Sequence, residues 1–179
     1  MSAVDPLADS VLYAMAAALG RALLAARWRI ATAESCTGGW IAKALTDIPG
    51  SSQWVECGFV TYSNTAKIRS LGVSARTLER DGAVSEATVR EMASGALRVS
   101  EAQVSIAVSG IAGPDGGTPQ KPLGTVWFAV AGPWAEGGGV HCERCCFEGD
   151  RERVRRGAVG HGLALVLTRV RRATGVTVP

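Results

Sequence analysis

Apolar residues recur along the chain with two different periods. Five segments are predicted to be helices, and in the longer ones apolar residues stand three or four positions apart. These helices run from Asp5 to about Arg27, Trp40 to Thr46, Thr65 to Leu71, Glu86 to Val99 and Asp150 to about Arg172. Capping residues agree with these bounds, because Asp5 and Pro6 suit the start of a helix. Asn64 and Ser85 suit two further N-caps, and Gly72 suits a helix end.

Five shorter segments are rich in β-branched, aromatic or small apolar residues and are predicted to be strands. They run from Trp28 to Ala33, Val55 to Tyr62, Val104 to Val108, Thr125 to Ala131 and Val140 to Phe147. A glycine-rich turn between the last two predicts an antiparallel pair. The overall pattern predicts the α/β fold class, with a mixed sheet and helices on both faces. No linker or repeat interrupts it, so residues 1–179 are predicted to form a single domain with a core of about 6–173.

Composition narrows the class of protein. A chain of 179 residues with 47% hydrophobic and 20% charged residues can fold around its own core, which argues against disorder. The net charge is only +3 and its basic residues are interleaved with acids, so no nucleic-acid partner is expected. We find no signal segment and no apolar run near about 18 residues, so no membrane partner is expected. Five cysteines, an odd number, favour a reduced, cytoplasmic setting.

The segment from Glu34 to Gly39 connects a predicted strand to a predicted helix and carries the first candidate chemistry. Ser35 places a hydroxyl at the strand end, where it is a candidate nucleophile. Backbone N–H groups at the helix start carry partial positive charge, which suits an oxyanion or a phosphate. These groups belong to Cys36, Thr37, Gly38 and Gly39. Two alternatives stay open: Cys36 could be the nucleophile, or the segment could be a turn whose hydroxyls only cap the helix.

A serine nucleophile needs a base, and the chain offers few. Its two histidines, His141 and His161, lie in a predicted strand and inside the last predicted helix, where neither position points to catalysis. Lys67 follows a strand end by one helical turn, so it could meet the serine at the same edge of the sheet. Burial would lower the pKa of such a lysine toward neutrality. Tyr62 could instead relay the proton, and Lys43 is a rival base that should point away.

A second glycine-rich loop, from Ser109 to Gly117, also follows a predicted strand. It matches neither a Walker A loop nor a dinucleotide fingerprint. Its glycines permit a nest of N–H groups for an anionic ligand, and its aspartate could hold a ribose hydroxyl or orient the base. The candidate binding residues are Gly110, Gly113, Asp115 and Gly116. At the start of the last helix, Arg151, Arg155 and Arg156 could clamp a phosphate or could form a solvated face.

Three cysteines lie close together in the last predicted strand, beside a histidine. The spacing between Cys142 and Cys145 is one that zinc sites use. In a strand, however, Cys142 and Cys146 face one side and Cys145 faces the other, and no second pair of ligands is available. These cysteines are therefore expected to be buried thiols, and neither a metal nor another cofactor is expected.

Six stretches of the chain, in order, resemble the CinA C-terminal-domain family, whose stand-alone members are nicotinamide-nucleotide amidases. They are Ala33 to Trp40, Gly58 to Asn64 with Lys67, Gly82 to Glu86, Ser109 to Gly117, Gly124 to Phe128 and Phe147 to Arg151. The stretches span most of the chain, which makes chance agreement a poor explanation. The resemblance implies a three-layer α/β/α fold with a mixed sheet, and a homodimer.

The resemblance also implies an activity, the hydrolysis of nicotinamide mononucleotide to nicotinate mononucleotide and ammonia, which recycles pyridine nucleotide. Ser35 would attack the carboxamide carbon while Lys67 takes its proton, with Tyr62 assisting. The N–H groups around residues 36–39 would stabilise the oxyanion. The loop of residues 110–117, with Arg151, would hold the ribose and phosphate of this small-molecule substrate. A competing implication is a non-catalytic nucleotide-binding or regulatory module, because CinA proteins are linked with competence and DNA damage.

Overall fold

The computed structural model contains both helices and strands and describes residues 8–134 and 139–175. The helices are α1 (Asp9–Ala26), α2 (Trp40–Thr46), α3 (Asn64–Leu71), α4 (Ala75–Asp81), α5 (Glu86–Arg98) and α6 (Arg151–Thr174). The strands are β1 (Ile30–Glu34), β2 (Val55–Val60), β3 (Val104–Gly110), β4 (Thr125–Ala131) and β5 (Val140–Cys146), with a short 3-10 turn, Ser51–Gln53, before β2. Each predicted helix and strand is present, so the α/β fold class is confirmed.

The five strands form one mixed sheet in the order β2-β1-β3-β4-β5. Strand β1 is parallel to both β2 and β3, whereas β4 is antiparallel to β3 and β5. Glu34, the last residue of β1, stands opposite Val60 in β2 and Val108 in β3. The segments that follow these three strands therefore begin at the same edge of the sheet. In open α/β sheets, ligands bind beyond the carboxyl ends of the strands.

Helices cover both faces of the sheet, and the two faces differ in side-chain size. Helices α1, α2 and α6 pack on the face that carries large apolar residues such as Ile106 and Phe128. Helix α5 packs on the other face, where alanines such as Ala107 and Ala129 let it approach closely. Ser105 shares this small face, and its hydroxyl donates a hydrogen bond to the carbonyl of Ala93 in α5 at 2.8 Å.

Three details differ from the sequence prediction. Helix α4 was not predicted, because only Thr77 and Leu78 in it are buried and the apolar period is weak. Helix α3 is capped by Ser63, whose hydroxyl accepts from the Ala66 N–H at 3.1 Å, so the prediction of Asn64 as the cap was wrong. Asp5 and Pro6, the predicted start of the first helix, lie outside the described residues, and α1 begins at Asp9.

Helix α1 is the one described element that bears on the prediction of no apolar run near about 18 residues, and its charged residues Asp9 and Arg21 interrupt its apolar residues. Among the described residues, one helix, α1, is long and apolar enough by length and composition to cross a membrane. A core helix passes the same test, and α1 packs against α6. Its side chains Leu12, Leu19 and Leu23 are buried in the core, which accounts for its apolar character.

Candidate active site

The turn after β1 brings Ser35 to the edge of the sheet. The Ser35 N–H donates to the carbonyl of Val108 at 3.0 Å, which continues the pairing of β1 with β3 by one residue. The chain then reverses through Gly38 (φ +64°) and Gly39 (φ +93°), in the left-handed region that favours glycine. Helix α2 starts immediately afterwards, at Trp40, so the hydroxyl of Ser35 stands beside a helix start.

The side chain of Glu34 fixes this turn from inside. It is fully buried, and its carboxylate accepts hydrogen bonds from the Thr37 hydroxyl at 2.7 Å and the Gly39 N–H at 3.0 Å. It also accepts from the N–H groups of Ile41 at 3.0 Å and Ala42 at 2.8 Å. A carboxylate at a helix N-terminus satisfies N–H groups that lack partners within the helix. The sequence pattern did not predict this role of Glu34, and its position beside Ser35 was the only signal for it.

Lys67 lies one turn into α3 and reaches back to Ser35. Its Nζ stands 3.0 Å from the Ser35 Oγ, and it donates to the carbonyl oxygens of Thr61 at 2.7 Å and Tyr62 at 3.4 Å. The side chain is almost fully buried, with 1% exposure. Burial disfavours the ammonium form and lowers the pKa of Lys67, and this outweighs an opposing electrostatic effect of Cys36. A neutral amine in contact with a hydroxyl can act as its general base.

The other candidate bases and the other candidate nucleophile are less suitably placed than Lys67 and Ser35. The Tyr62 side chain is 60% exposed, and its hydroxyl accepts from the Arg151 guanidinium at 2.9 Å, so Lys67 and not Tyr62 contacts the serine. Lys43 is exposed and pairs with Asp47 at 2.5 Å, one turn along α2. Burial raises the pKa of the Cys36 thiol to about 12, which disfavours the thiolate that a cysteine nucleophile needs.

The N–H groups that were predicted to hold an oxyanion divide into two kinds. Gly38 donates to the carbonyl of Ser35 at 3.1 Å, and Gly39 donates to Glu34, so both are occupied. The N–H groups of Cys36 and Thr37 donate to no other residue in the part of the chain that the structure describes. These two are therefore the candidates for binding an oxyanion beside Ser35.

A small cavity opens in front of the serine. It has a volume of about 180 Å³, and its lining includes Ser35, Tyr62, Lys67, Ser109, Gly110 and Arg151. Sites that enclose a whole drug-sized ligand usually measure roughly 300–1,000 Å³. The cavity is therefore large enough for one end of a nucleotide but not for all of it.

The glycine loop contributes less to this cavity than the sequence suggested. Gly110 lines it, but a side chain there would also meet Val126 at 2.6 Å, so close strand packing explains this glycine equally well. The carbonyl of Gly113 accepts from Arg151 at 2.7 Å. Asp115 and Gly116 are exposed and are not part of the lining.

The three arginines at the start of α6 have different surroundings. Arg151 spans the mouth of the cavity between Gly113 and Tyr62. Arg155 donates to the carbonyl oxygens of Cys36 at 3.0 Å and Thr37 at 2.9 Å, which holds the serine turn against α6. Arg156 pairs with carboxylates of α1 and of its own helix. Of these three arginines, Arg151 is the one that lines the cavity.

Comparison with known proteins identifies the family. Residues 12–170 match the model of the CinA C-terminal domain. The chain belongs to the CinA C-terminal domain family. It is 54% identical over 155 residues to the nicotinamide-nucleotide amidohydrolase PncC of Escherichia coli strain K12, covering 87% of this chain and 92% of that protein. It is 52% identical over 145 residues to PncC of Pseudomonas putida, covering 81% of this chain and 88% of that protein.

Solved structures of CinA family proteins share the fold. The competence/damage inducible protein CihA from Agrobacterium tumefaciens has a TM-score of 0.84 and 40% identity, covering 94% of this chain and 98% of that chain. The competence damage-inducible protein A from Klebsiella pneumoniae has a TM-score of 0.83 and 44% identity, covering 89% of this chain and 96% of that chain. The resemblance noted in the sequence is therefore confirmed at the level of family and fold.

Proposed function

We propose that this chain hydrolyses the carboxamide of nicotinamide mononucleotide, with Ser35 as nucleophile and Lys67 as general base. The observation that carries the proposal is the 3.0 Å contact between the Lys67 Nζ and the Ser35 Oγ, buried beneath a cavity at the sheet edge. The substrate comes from the PncC relatives, which are named nicotinamide-nucleotide amidohydrolases and match this chain over most of their length.

In the first half of the reaction, the Ser35 Oγ attacks the carboxamide carbon and passes its proton to the Lys67 Nζ. The carboxamide oxygen gains negative charge, and the N–H groups of Cys36 and Thr37 would donate hydrogen bonds to it. Each such donor typically contributes about 3–4 kcal/mol to the transition state. Lys67 then returns its proton to the leaving nitrogen, and ammonia departs from a nicotinoyl ester of Ser35.

In the second half, a water molecule attacks this ester and gives its proton to Lys67, which again starts neutral. The C–O bond to Ser35 breaks, the serine takes its proton back, and nicotinate mononucleotide is released. The carbonyl oxygens of Thr61 and Tyr62 hold the amine in place in both halves, because they accept two of its hydrogen bonds. They leave the direction toward the serine for proton transfer.

The remainder of the nucleotide would lie outside the small cavity. Arg151 at its mouth provides a positive charge for the phosphate, and the glycine loop provides backbone groups for the ribose. Recycling of pyridine nucleotide and a homodimer follow from the family resemblance and stay predictions. A cytoplasmic location follows from the cysteine content and also stays a prediction.

The test is ammonia release from nicotinamide mononucleotide by the purified chain. Ser35→Ala is expected to reduce turnover to background. Lys67→Met is expected to reduce kcat by about 10²–10⁴-fold, because methionine fills the buried space of the lysine side chain but lacks the amine. Lys43→Met is the matched control, since that lysine is exposed and should leave kcat unchanged. Full activity in Ser35→Ala would refute the mechanism. Nucleotide binding without turnover of any carboxamide nucleotide by the wild type would favour the non-catalytic module instead.

A second measurement tests the covalent step directly. Acid quenching during turnover, followed by mass spectrometry, should find a nicotinoyl-nucleotide ester on the peptide that carries Ser35. Cys36→Ala should give the same adduct and keep most of the activity. An adduct on Cys36 in place of Ser35 would contradict the assignment of the nucleophile.

A further inference from the structure

A second cluster of reactive side chains lies away from the serine, between β5 and α6. His141, Glu143 and Cys145 alternate along β5 and therefore share one face of the strand, the face that α6 covers. His161 projects from α6 toward the same place. Nothing in the proposed reaction uses these four residues.

The donor atoms of the cluster are already close together. The His161 Nε2 lies 3.4 Å from the Cys145 Sγ and also contacts the Glu143 Oε1. The His141 Nε2 lies 3.1 Å from the other carboxylate oxygen of Glu143. One ligand atom each of Glu143, Cys145 and His161 falls within 4.8 Å of the other two.

We propose that Glu143, Cys145 and His161 bind a zinc ion. Zinc takes thiolate sulfur at about 2.3 Å and imidazole nitrogen at about 2.0 Å in a tetrahedral arrangement, which puts those two ligand atoms about 3.5 Å apart. The observed distance between the Cys145 Sγ and the His161 Nε2 is 3.4 Å, so this edge of the tetrahedron is in place. On binding the ion, the contact between Glu143 and His161 would have to widen to about 3.3 Å.

The mixture of ligands selects the class of metal. A thiolate with an imidazole and a carboxylate suits a borderline ion such as Zn²⁺, whereas Mg²⁺ and Ca²⁺ take oxygen ligands. The two negative charges of Cys145 and Glu143 balance the charge of the ion. His141 would not bind the ion itself. Its hydrogen bond to Glu143 would orient that ligand, as residues around zinc sites often do.

Solvent reaches the cluster, so an ion can enter. The side chains of Glu143 and His161 are each 32% exposed, and a cleft of about 600 Å³ beside α6 is lined by His161 and Phe147. The fourth coordination position would face this cleft and hold water. Zinc binds cysteine as the thiolate, so metal binding would release the thiol proton of Cys145.

The cluster is separate from the serine site. His161 follows Arg151 by ten residues of α6, which places it about 15 Å further along the helix axis. An ion there would tie the outermost strand, β5, to α6 without touching Ser35 or Lys67. The inference therefore does not rest on the proposed amidase activity.

Cobalt titration of the chelator-treated full chain tests the site, because thiolate-bound Co²⁺ has a charge-transfer absorption in the near ultraviolet. The wild type should show a saturable band at one ion per chain, and Zn²⁺ should remove it. Cys145→Ser should abolish the band. Cys142→Ser and Cys146→Ser are matched controls in the same strand; they face the other way and should keep the band.

Two further variants sharpen the outcome. His161→Gln should weaken Co²⁺ binding by at least about 10-fold, and His141→Ala should weaken it by about 10–100-fold through the loss of support for Glu143. Zn²⁺ should also raise the melting temperature of the wild type but not of Cys145→Ser. No thiolate band in the wild type would overturn the proposal. So would a band that survives Cys145→Ser, or one that disappears in Cys142→Ser or Cys146→Ser.

Discussion

Replacing Glu34 with glutamine should destabilise the protein by several kcal/mol, although the two side chains have nearly the same shape. One carboxylate oxygen accepts three hydrogen bonds, from Thr37, Gly39 and Ile41, and the other accepts one from Ala42. In the Glu34→Gln variant only one of these positions can hold an oxygen. The amide NH₂ must then face at least one backbone N–H, and two donors repel each other.

The size of the loss follows from these contacts. A hydrogen bond to a charged group contributes about 1.5–3 kcal/mol, and at least one is lost in a fully buried place. Removing the negative charge from the start of α2 costs about a further 0.3–1 kcal/mol. The expected destabilisation is therefore about 2–4 kcal/mol. At about 2–4 °C for each kcal/mol in a chain of this length, the melting temperature should fall by about 4–16 °C.

Thermal unfolding followed by circular dichroism, with urea unfolding as a second measure, gives the comparison. Glu79→Gln is the control, because Glu79 is exposed on α4 and its replacement should change stability by less than about 0.5 kcal/mol. Thr37→Val should give an intermediate loss, since it removes one of the four donors. If Glu34→Gln unfolds within about 0.5 kcal/mol of the wild type, the carboxylate does not hold the turn and the reasoning is refuted.

Three further predictions concern the proposed base, the phosphate and the packing of α5. Because burial lowers the pKa of Lys67, kcat/KM should rise with pH and level off. The apparent pKa of this rise should lie below the value of about 10.4 for an exposed lysine. A profile without such a rise, or one that is unchanged in Lys67→Met, would contradict this role. Arg151→Ala should raise KM for nicotinamide mononucleotide but not for nicotinamide riboside, which lacks the phosphate; equal effects on both substrates would remove the phosphate contact. Gly95→Ala should lower the free energy of unfolding in urea by about 1–3 kcal/mol, because the new Cβ would stand 2.1 Å from the carbonyl oxygen of Leu71. Ser94→Ala, on the exposed side of α5, should leave the free energy of unfolding unchanged.

The sequence predicts the sheet and most helices because their patterns are local. Strand composition, capping residues and helical spacing place ten elements, and parallel strands must end at a common edge. This is why Ser35 and Lys67, each just beyond a strand end, could be expected to meet. Helix α4 escapes prediction because few of its residues are buried, so its apolar period is weak.

Contacts between distant parts of the chain could not be predicted in the same way. Arg155 reaches Cys36 across 119 positions, and Arg151 reaches Tyr62 across 89. Which of three neighbouring arginines faces the cavity depends on the rotation of α6 about its axis, which a charged helix start does not reveal. The partner of Cys145 was missed for the same reason, because His161 lies on another element, 16 positions away.

Glu34 and Lys67 have separate electrostatic roles at the site. Glu34 and Lys67 are both buried near Ser35, and a direct pair between them would favour the ammonium form and raise the pKa of the lysine. The carboxylate instead accepts all its hydrogen bonds from the turn and the start of α2, while the amine faces two carbonyl oxygens and a hydroxyl. Lys67 can therefore lose its proton while the carboxylate of Glu34 keeps all its hydrogen bonds. It follows that substitutions at Glu34 should act mainly on stability and those at Lys67 mainly on the pH profile of turnover, a separation that a direct ion pair would not allow.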